Sequence, residues 1–158
     1  MQIEHNRRSM VMLIEMDEKV NLSTQTEANV ALVILIYKFN VNTEEVDQFL
    51  RAWAAGAAIM KRQPGYISAQ LHRGAADSCV FINYAVWKCT AKYKRAVNNP
   101  EFQSCLEKLP ASTLASLHLL RKVAVPGSVS NENNDNTIEM SCSFVDGNYH
   151  KSSREEIV

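Results

Sequence analysis

Two hydrophobic periods alternate along the middle of the chain, and together they predict the order of its elements. Residues Ala31 to Phe39, ALVILIYKF, are almost continuously apolar and β-branched in their first half, as expected of a strand buried on both faces. Asn42, Thr43, Glu44 and Glu45 then supply a cap and early negative charge for a helix, with Asn42 and Glu45 near capping-box spacing. Val46, Phe49, Leu50, Trp53, Ala57 and Met60 follow on one stripe at helical spacing. Pro64 and Gly65 end that helix, because proline lacks a donor and glycine accepts positive φ. The period then changes to two. Tyr66 to Arg73 and Ser78 to Trp87 alternate as half-buried strands joined by the turn GAAD, and one face of the second collects Cys79, Phe81, Asn83, Ala85 and Trp87.

A second helical region opens at Thr90, carries Tyr93, Ala96 and Val97, breaks at Asn98, Asn99 and Pro100, and resumes through Phe102, Cys105, Leu106 and Leu109 as far as Pro110. Residues Leu117 to Val125, LHLLRKVAV, predict a last strand closed by Pro126 and Gly127. The order is strand, helix, strand, strand, helix, strand. That is an α+β, ferredoxin-like βαββαβ chain, whose right-handed crossovers place both helices on one face of a four-stranded antiparallel sheet. The opposite face is left bare and apolar, which predicts a homodimer with the two sheets facing each other.

The ends have a different character. Residues 1–29 form an N-terminal extension in which Arg7 and Arg8 precede SMVMLIEM, but Glu15, Asp17, Glu18 and Lys19 interrupt the apolar run too early for an export signal or a membrane span. It reads as a mobile leader with one helical turn or two. Residues 30–126 are the predicted domain. From 127 to 158, asparagine, serine and charge dominate, so the tail is expected to be disordered, with a short docking element around Ile138 to Val145 as the alternative.

Composition narrows the function. With 158 residues the chain makes one domain with a proper core, and 17 basic residues against 17 acidic ones give no electrostatic reason to expect nucleic acid or a membrane surface as partner. The four cysteines, Cys79, Cys89, Cys105 and Cys142, have no C-x-x-C spacing and no paired histidines. They read as reduced thiols of a cytoplasmic protein, forming neither a metal site nor a disulfide framework.

Several side chains carry candidate chemistry or its alternatives. Asn83 and Trp87 are four apart on one strand and therefore point the same way, an amide beside an indole donor and an aromatic wall. The same residues read as packing if Trp87 only fills the space between sheet and helix and Asn83 only ties a turn. His72 is the best general base by chemistry, alternating with Gln70 and Ser68 near a strand end where it could equally be solvated and idle. His118 has the parity opposite to Leu117 and Leu119, and Arg73 and Arg121 could hold a substrate oxygen or simply be solvated.

The pieces LIYKFNV, VDQFLRAWAAGAAIMKRQPGYISAQLHR, FINYAVWKCTAKYKRAV, NPEFQ and LHLLRKVAV stand in the order and spacing of a known family. From about Val33 to Val125 the chain resembles an antibiotic biosynthesis monooxygenase domain, a small dimeric α/β barrel. The resemblance implies oxygenation of an electron-rich aromatic, a quinol or a polyketide anthrone, by dioxygen and with no metal, flavin or haem cofactor. It implies a role for Trp87 at the position of the family's third-strand tryptophan, with Asn83 on the same face. Many relatives with the LI-x-x-F pattern have asparagine where this chain has Tyr37, a bulkier donor and poorer acceptor that joins the candidate site. Haem-degrading relatives carry an iron-ligating histidine on the second helix, and Thr90 to Leu109 contains none. A non-catalytic barrel that binds a small apolar ligand or a partner is the alternative.

Overall fold

A computed structural model describes residues 11–127. The C-terminal tail from 128 onward and its expected docking element lie outside the described residues, as do residues 1–10. The chain runs β1 (Met12–Leu13), α1 (Leu22–Glu27), β2 (Ala31–Asn40), a 3-10 turn (Thr43–Glu45), α2 (Val46–Lys61), β3 (Tyr66–Arg73), β4 (Val80–Cys89), α3 (Thr90–Val97), α4 (Pro100–Leu106) and β5 (Leu114–Leu120). Strand order is β1-β5-β2-β4-β3. The four longer strands pair antiparallel in the ferredoxin-like order, and β1 adds a short parallel pair at the β5 edge.

Long β2 is central because its side chains are apolar on both faces. Val33, Leu35 and Phe39 are buried beneath the helices, while Ile34 and Ile36 alternate to the other side. α2 ends at Lys61, and the turn that follows it passes through Gly65, whose φ of +94° belongs to glycine and where a Cβ would stand 2.5 Å from Lys92 Cβ. The break at Pro100 separates α3 from α4. Asn99 caps the second of these by accepting from the Glu101 and Phe102 amides, with Pro100 in the first turn where its missing donor costs nothing. α2 packs against α4, and α3 lies on β4.

Two expectations change here. The last strand begins at Leu114 and ends at Leu120, earlier than the apolar letters from Leu117 to Val125 suggest. Pairing with β2 decides its limits, turning Ala115, Leu117 and Leu119 inward and leaving Val123 and Val125 exposed. Residues 11–29 are also not a free leader. Gln25 is buried, donates from Nε2 to the Val20 carbonyl at 2.8 Å, lies 3.0 Å from His118 Nδ1, and accepts the Leu119 amide at 2.8 Å. A glutamine in LSTQTE shows no apolar period, so only the contact with β5 reveals that the segment is anchored.

The cysteine reading also needs correction. Cys79 and Cys105 are free, but Cys89 at the end of β4 is disulfide-bonded. Cysteine spacing carries no information about pairing across a fold, and a stable disulfide belongs to oxidising surroundings. The cysteines therefore lend no support to a reducing, cytoplasmic setting. No helix among the described residues is long and apolar enough to cross a membrane.

Candidate active site

Between the inner face of the sheet and the helices lies a partly enclosed cavity of about 100 Å³. The sheet contributes Tyr37 from β2, Ala69 from β3, Asn83 and Trp87 from β4, and Leu117 from β5. Trp53, Gly56 and Met60 of α2 close one side, and Tyr93, Phe102 and Cys105 of α3 and α4 close the other. Among the described residues no Lys, Arg, His, Asp or Glu lines it.

Strand register places three of the four sequence candidates together. Tyr37 is paired with Asn83 across β2 and β4, and Val33 with Trp87, so Asn83 and Trp87 face inward on one strand with Tyr37 on the next. Trp87 is 1% exposed and meets the edges of Tyr66 and Tyr93 at ring-centroid distances of 5.6 and 5.8 Å. Tyr37 stacks on Phe39 at 4.2 Å. Asn83 Oδ1 is buried and has no hydrogen-bond partner among the described residues. A buried acceptor left unmatched costs about 1–3 kcal/mol, which a ligand donor would recover.

His72 is not part of this group. It pairs with Ile82 and is exposed on the outer face, together with Gln70 and Tyr84. The reason is a β-bulge: β3 pairs Tyr66 with Trp87 but Ser68 with Val86, so the extra residue inverts the alternation between them. Tyr66 points in, as Trp87 does, whereas Gln70 and His72, which strict alternation would align with it, point out. His118 pairs with outward Ile36 and is engaged by Gln25. Arg73 lies over the Phe81 ring at 5.5 Å and donates from Nε to the Ser78 carbonyl at 2.9 Å, holding the β3–β4 turn. Arg121 follows β5 in exposed chain.

Burial sets the protonation of the cavity. It pushes the Tyr37 phenol up to about 12. It moves Tyr93 further above its ordinary range, with the nearby Tyr37 charge as a smaller cause in the same direction. Both are therefore neutral hydroxyls near pH 7, able to donate and poor as bases. No group of three or more His, Cys, Asp or Glu suited to hold a metal ion occurs among the described residues, and neither described histidine reaches the cavity to serve as a haem ligand.

The sequence pattern placed Tyr93, Phe102 and Cys105 on helices only and did not single out Gly56. Their part in the cavity follows from how close α2 and α4 approach. The one local signal was Gly56 in the run AAGAA, a small residue where another element comes near.

Residues 32–108 match the family model described as antibiotic biosynthesis monooxygenase. The match covers most of the central domain. Among solved structures, the chain is similar to the cofactor-independent oxygenase SnoaB of Streptomyces nogalater, at 24% identity and a TM-score of 0.55, covering 62% of this chain and 99% of that one. A protein of Caulobacter crescentus, proposed to be an antibiotic biosynthesis monooxygenase, matches at 15% identity and a TM-score of 0.55 over 60% of this chain and 92% of its own. A conserved protein of Methanosarcina mazei matches at 16% identity and a TM-score of 0.54, over 65% and 100%. These identities speak for the shared fold. A search of curated proteins finds no match. The α+β, ferredoxin-like architecture is thus established, and the segment 11–29 and the tail fall outside the matched region.

Proposed function

We propose that the protein is a cofactor-independent monooxygenase that oxidises an electron-rich aromatic, of the quinol or anthrone type, with dioxygen. The observation that carries this reading is the unpartnered Asn83 carbonyl on the wall of a partly enclosed apolar cavity, beside Tyr37 and Trp87, in a domain that matches this family's model. An aromatic hydroxyl donates to Asn83 Oδ1 while the ring lies among the aromatic and aliphatic walls. The cavity wall offers no histidine or carboxylate, so the proton passes to water at the open side. The resulting anion gives one electron to dioxygen. The substrate radical and superoxide join at a ring carbon, the peroxide takes up a proton, and loss of water turns C–H₂ into C=O, with one oxygen atom in the product and one in water. The protein's share is to hold the ring, match the hydroxyl and limit water. The Tyr37 and Tyr93 hydroxyls, kept protonated by burial, are available as donors to developing negative charge on oxygen.

The working unit we propose is a homodimer. Outward-facing Ile82, Tyr84, Leu114 and Leu120 are 37%, 40%, 38% and 41% exposed, an apolar sheet face that a second copy would cover.

Oxygen uptake with anthrone, naphthol and quinol substrates, measured with a metal chelator present, tests the reading. Asn83→Ala and Trp87→Phe should each lower the rate by about ten-fold or more, the scale of one lost preorganised hydrogen-bonding group, while His72→Ala keeps the parent rate. Unchanged uptake in both cavity variants would remove the assignment. The lack of any charged or histidine side chain on the wall favours a second reading, a binding barrel without oxygenation. Ligand binding with no uptake across the panel would establish it.

A further inference from the structure

We infer that the cavity selects a neutral ligand with one hydroxylated ring, and that Phe102, seated on Gly56, sets this limit. The inference rests on the site proposed above and narrows its substrate class toward single-ring phenols and quinols.

Three observations support it. The first is size. An engineered apolar cavity of about 150 Å³ binds benzene, so the volume of about 100 Å³ here is on the scale of one ring and well short of three fused ones. The second is charge. With no cationic side chain on the wall, an entering anion would lose its hydration without compensation, whereas a neutral ring would not. The third is the polar match. Asn83 Oδ1 is an acceptor in want of a donor, which an O–H supplies and a carboxylate does not.

Phe102 is the wall that can change this limit. A Cβ at position 56 would stand 3.2 Å from Phe102 Cε2 and 3.9 Å from Cys105 Cβ, so the missing side chain is what lets α4 and its ring close on α2. The ring lines the cavity across from the sheet. Shortening it enlarges the cavity on the helical side without touching Tyr37, Asn83 or Trp87. Adding a methyl at Gly56 displaces it by a few tenths of an ångström and disturbs the wall.

Calorimetric titration of the full chain under nitrogen tests the limit without any turnover. The probes are phenol, benzoate and 2-hydroxyanthracene at pH 7. The parent should bind phenol at least ten-fold more tightly than either of the others. Phe102→Ala should shift the ratio of hydroxyanthracene to phenol affinity by at least ten-fold toward the larger ring, and Phe102→Leu, which keeps more of the packing, should shift it in the same direction by less. Gly56→Ala should weaken phenol. Circular dichroism establishes that each variant is folded, and Phe102→Leu decides the matter if Phe102→Ala is not. Equal binding of phenol and hydroxyanthracene by the parent, an unchanged ratio in the folded Phe102 variants, tighter benzoate than phenol, or no binding of any probe would overturn the inference. Phenol binding with this selectivity but no oxygen uptake would defeat the oxygenase reading alone and leave the size limit standing.

Discussion

Tyr37 and Asn83 stand directly opposite each other in the β2–β4 ladder, and both side chains enter the same cavity. One is a phenol kept neutral by burial, the other an amide whose carbonyl is buried without a partner. A stability-driven core would have placed two apolar side chains at this pair. The polarity makes sense as a site held ready for a ligand.

That arrangement predicts a trade of stability against binding. Asn83→Leu removes the unmatched acceptor and should raise the unfolding free energy by about 1–3 kcal/mol, the cost of leaving such a group unsatisfied, while abolishing binding of a phenolic ligand. Urea unfolding read beside ligand titration checks both halves. A variant that is less stable and still binds would show that Asn83 is a structural residue.

The tyrosines predict an alkaline weakness. The folded-state pKa of Tyr37 is raised to about 12 from an ordinary 10, so the fold keeps a proton that the unfolded chain releases. Its contribution is complete below about pH 10 and is lost as pH rises from there through about 12, at about 1.4 kcal/mol per pH unit for one tyrosine. Tyr93, raised further, adds the same slope and continues it to higher pH. Urea unfolding from pH 9.5 to 11.5 should therefore show a shallower loss in Tyr37→Phe than in the parent. Identical slopes would mean that Tyr37 is solvated in solution.

Gln25 should be the residue that ties the N-terminal segment to the domain. Gln25→Ala leaves the Leu119 amide and the Val20 carbonyl without their partner, which predicts local opening of segment 11–29 at a cost of about 1–3 kcal/mol. Faster hydrogen exchange at the Leu119 amide, and protease cleavage before Ala31 in the variant alone, would report it. Protection equal to the parent would assign the anchoring to the salt bridge of Lys94 with Glu27 instead.

The bare sheet face makes its own prediction. Ile82→Lys combined with Tyr84→Lys places charge at the centre of the face assigned to the second copy. Sedimentation velocity should show a dimer for the parent and a monomer for the double variant. A parent that sediments as a monomer at micromolar concentration would remove the dimer from the proposal.

Much of this molecule was legible in the sequence because its signals are local. The continuous apolar run of β2, period two in β3 and β4, period 3.6 in α2, the stop at Pro64 and Gly65 and the break at Pro100 each follow from steric and hydrogen-bonding rules acting within a few residues. They suffice for the βαββαβ order, and with it for the common face of Asn83 and Trp87. Tyr37 joined them through the resemblance to the family.

Tertiary structure alone decided the rest. Whether His72 faces the cavity depends on one extra residue between Tyr66 and Ser68, and a bulge is set by the partner strand, so no period in β3 announces it. Gln25 is polar and lies outside any periodic run, and its burial exists only because Leu119 and His118 are beside it. The cavity between Gly56 and Phe102 likewise joins positions far apart in the chain. Local chemistry could name the elements and one face of one strand. The volume enclosed and the groups excluded from it depend on non-local packing, which no short stretch of sequence contains.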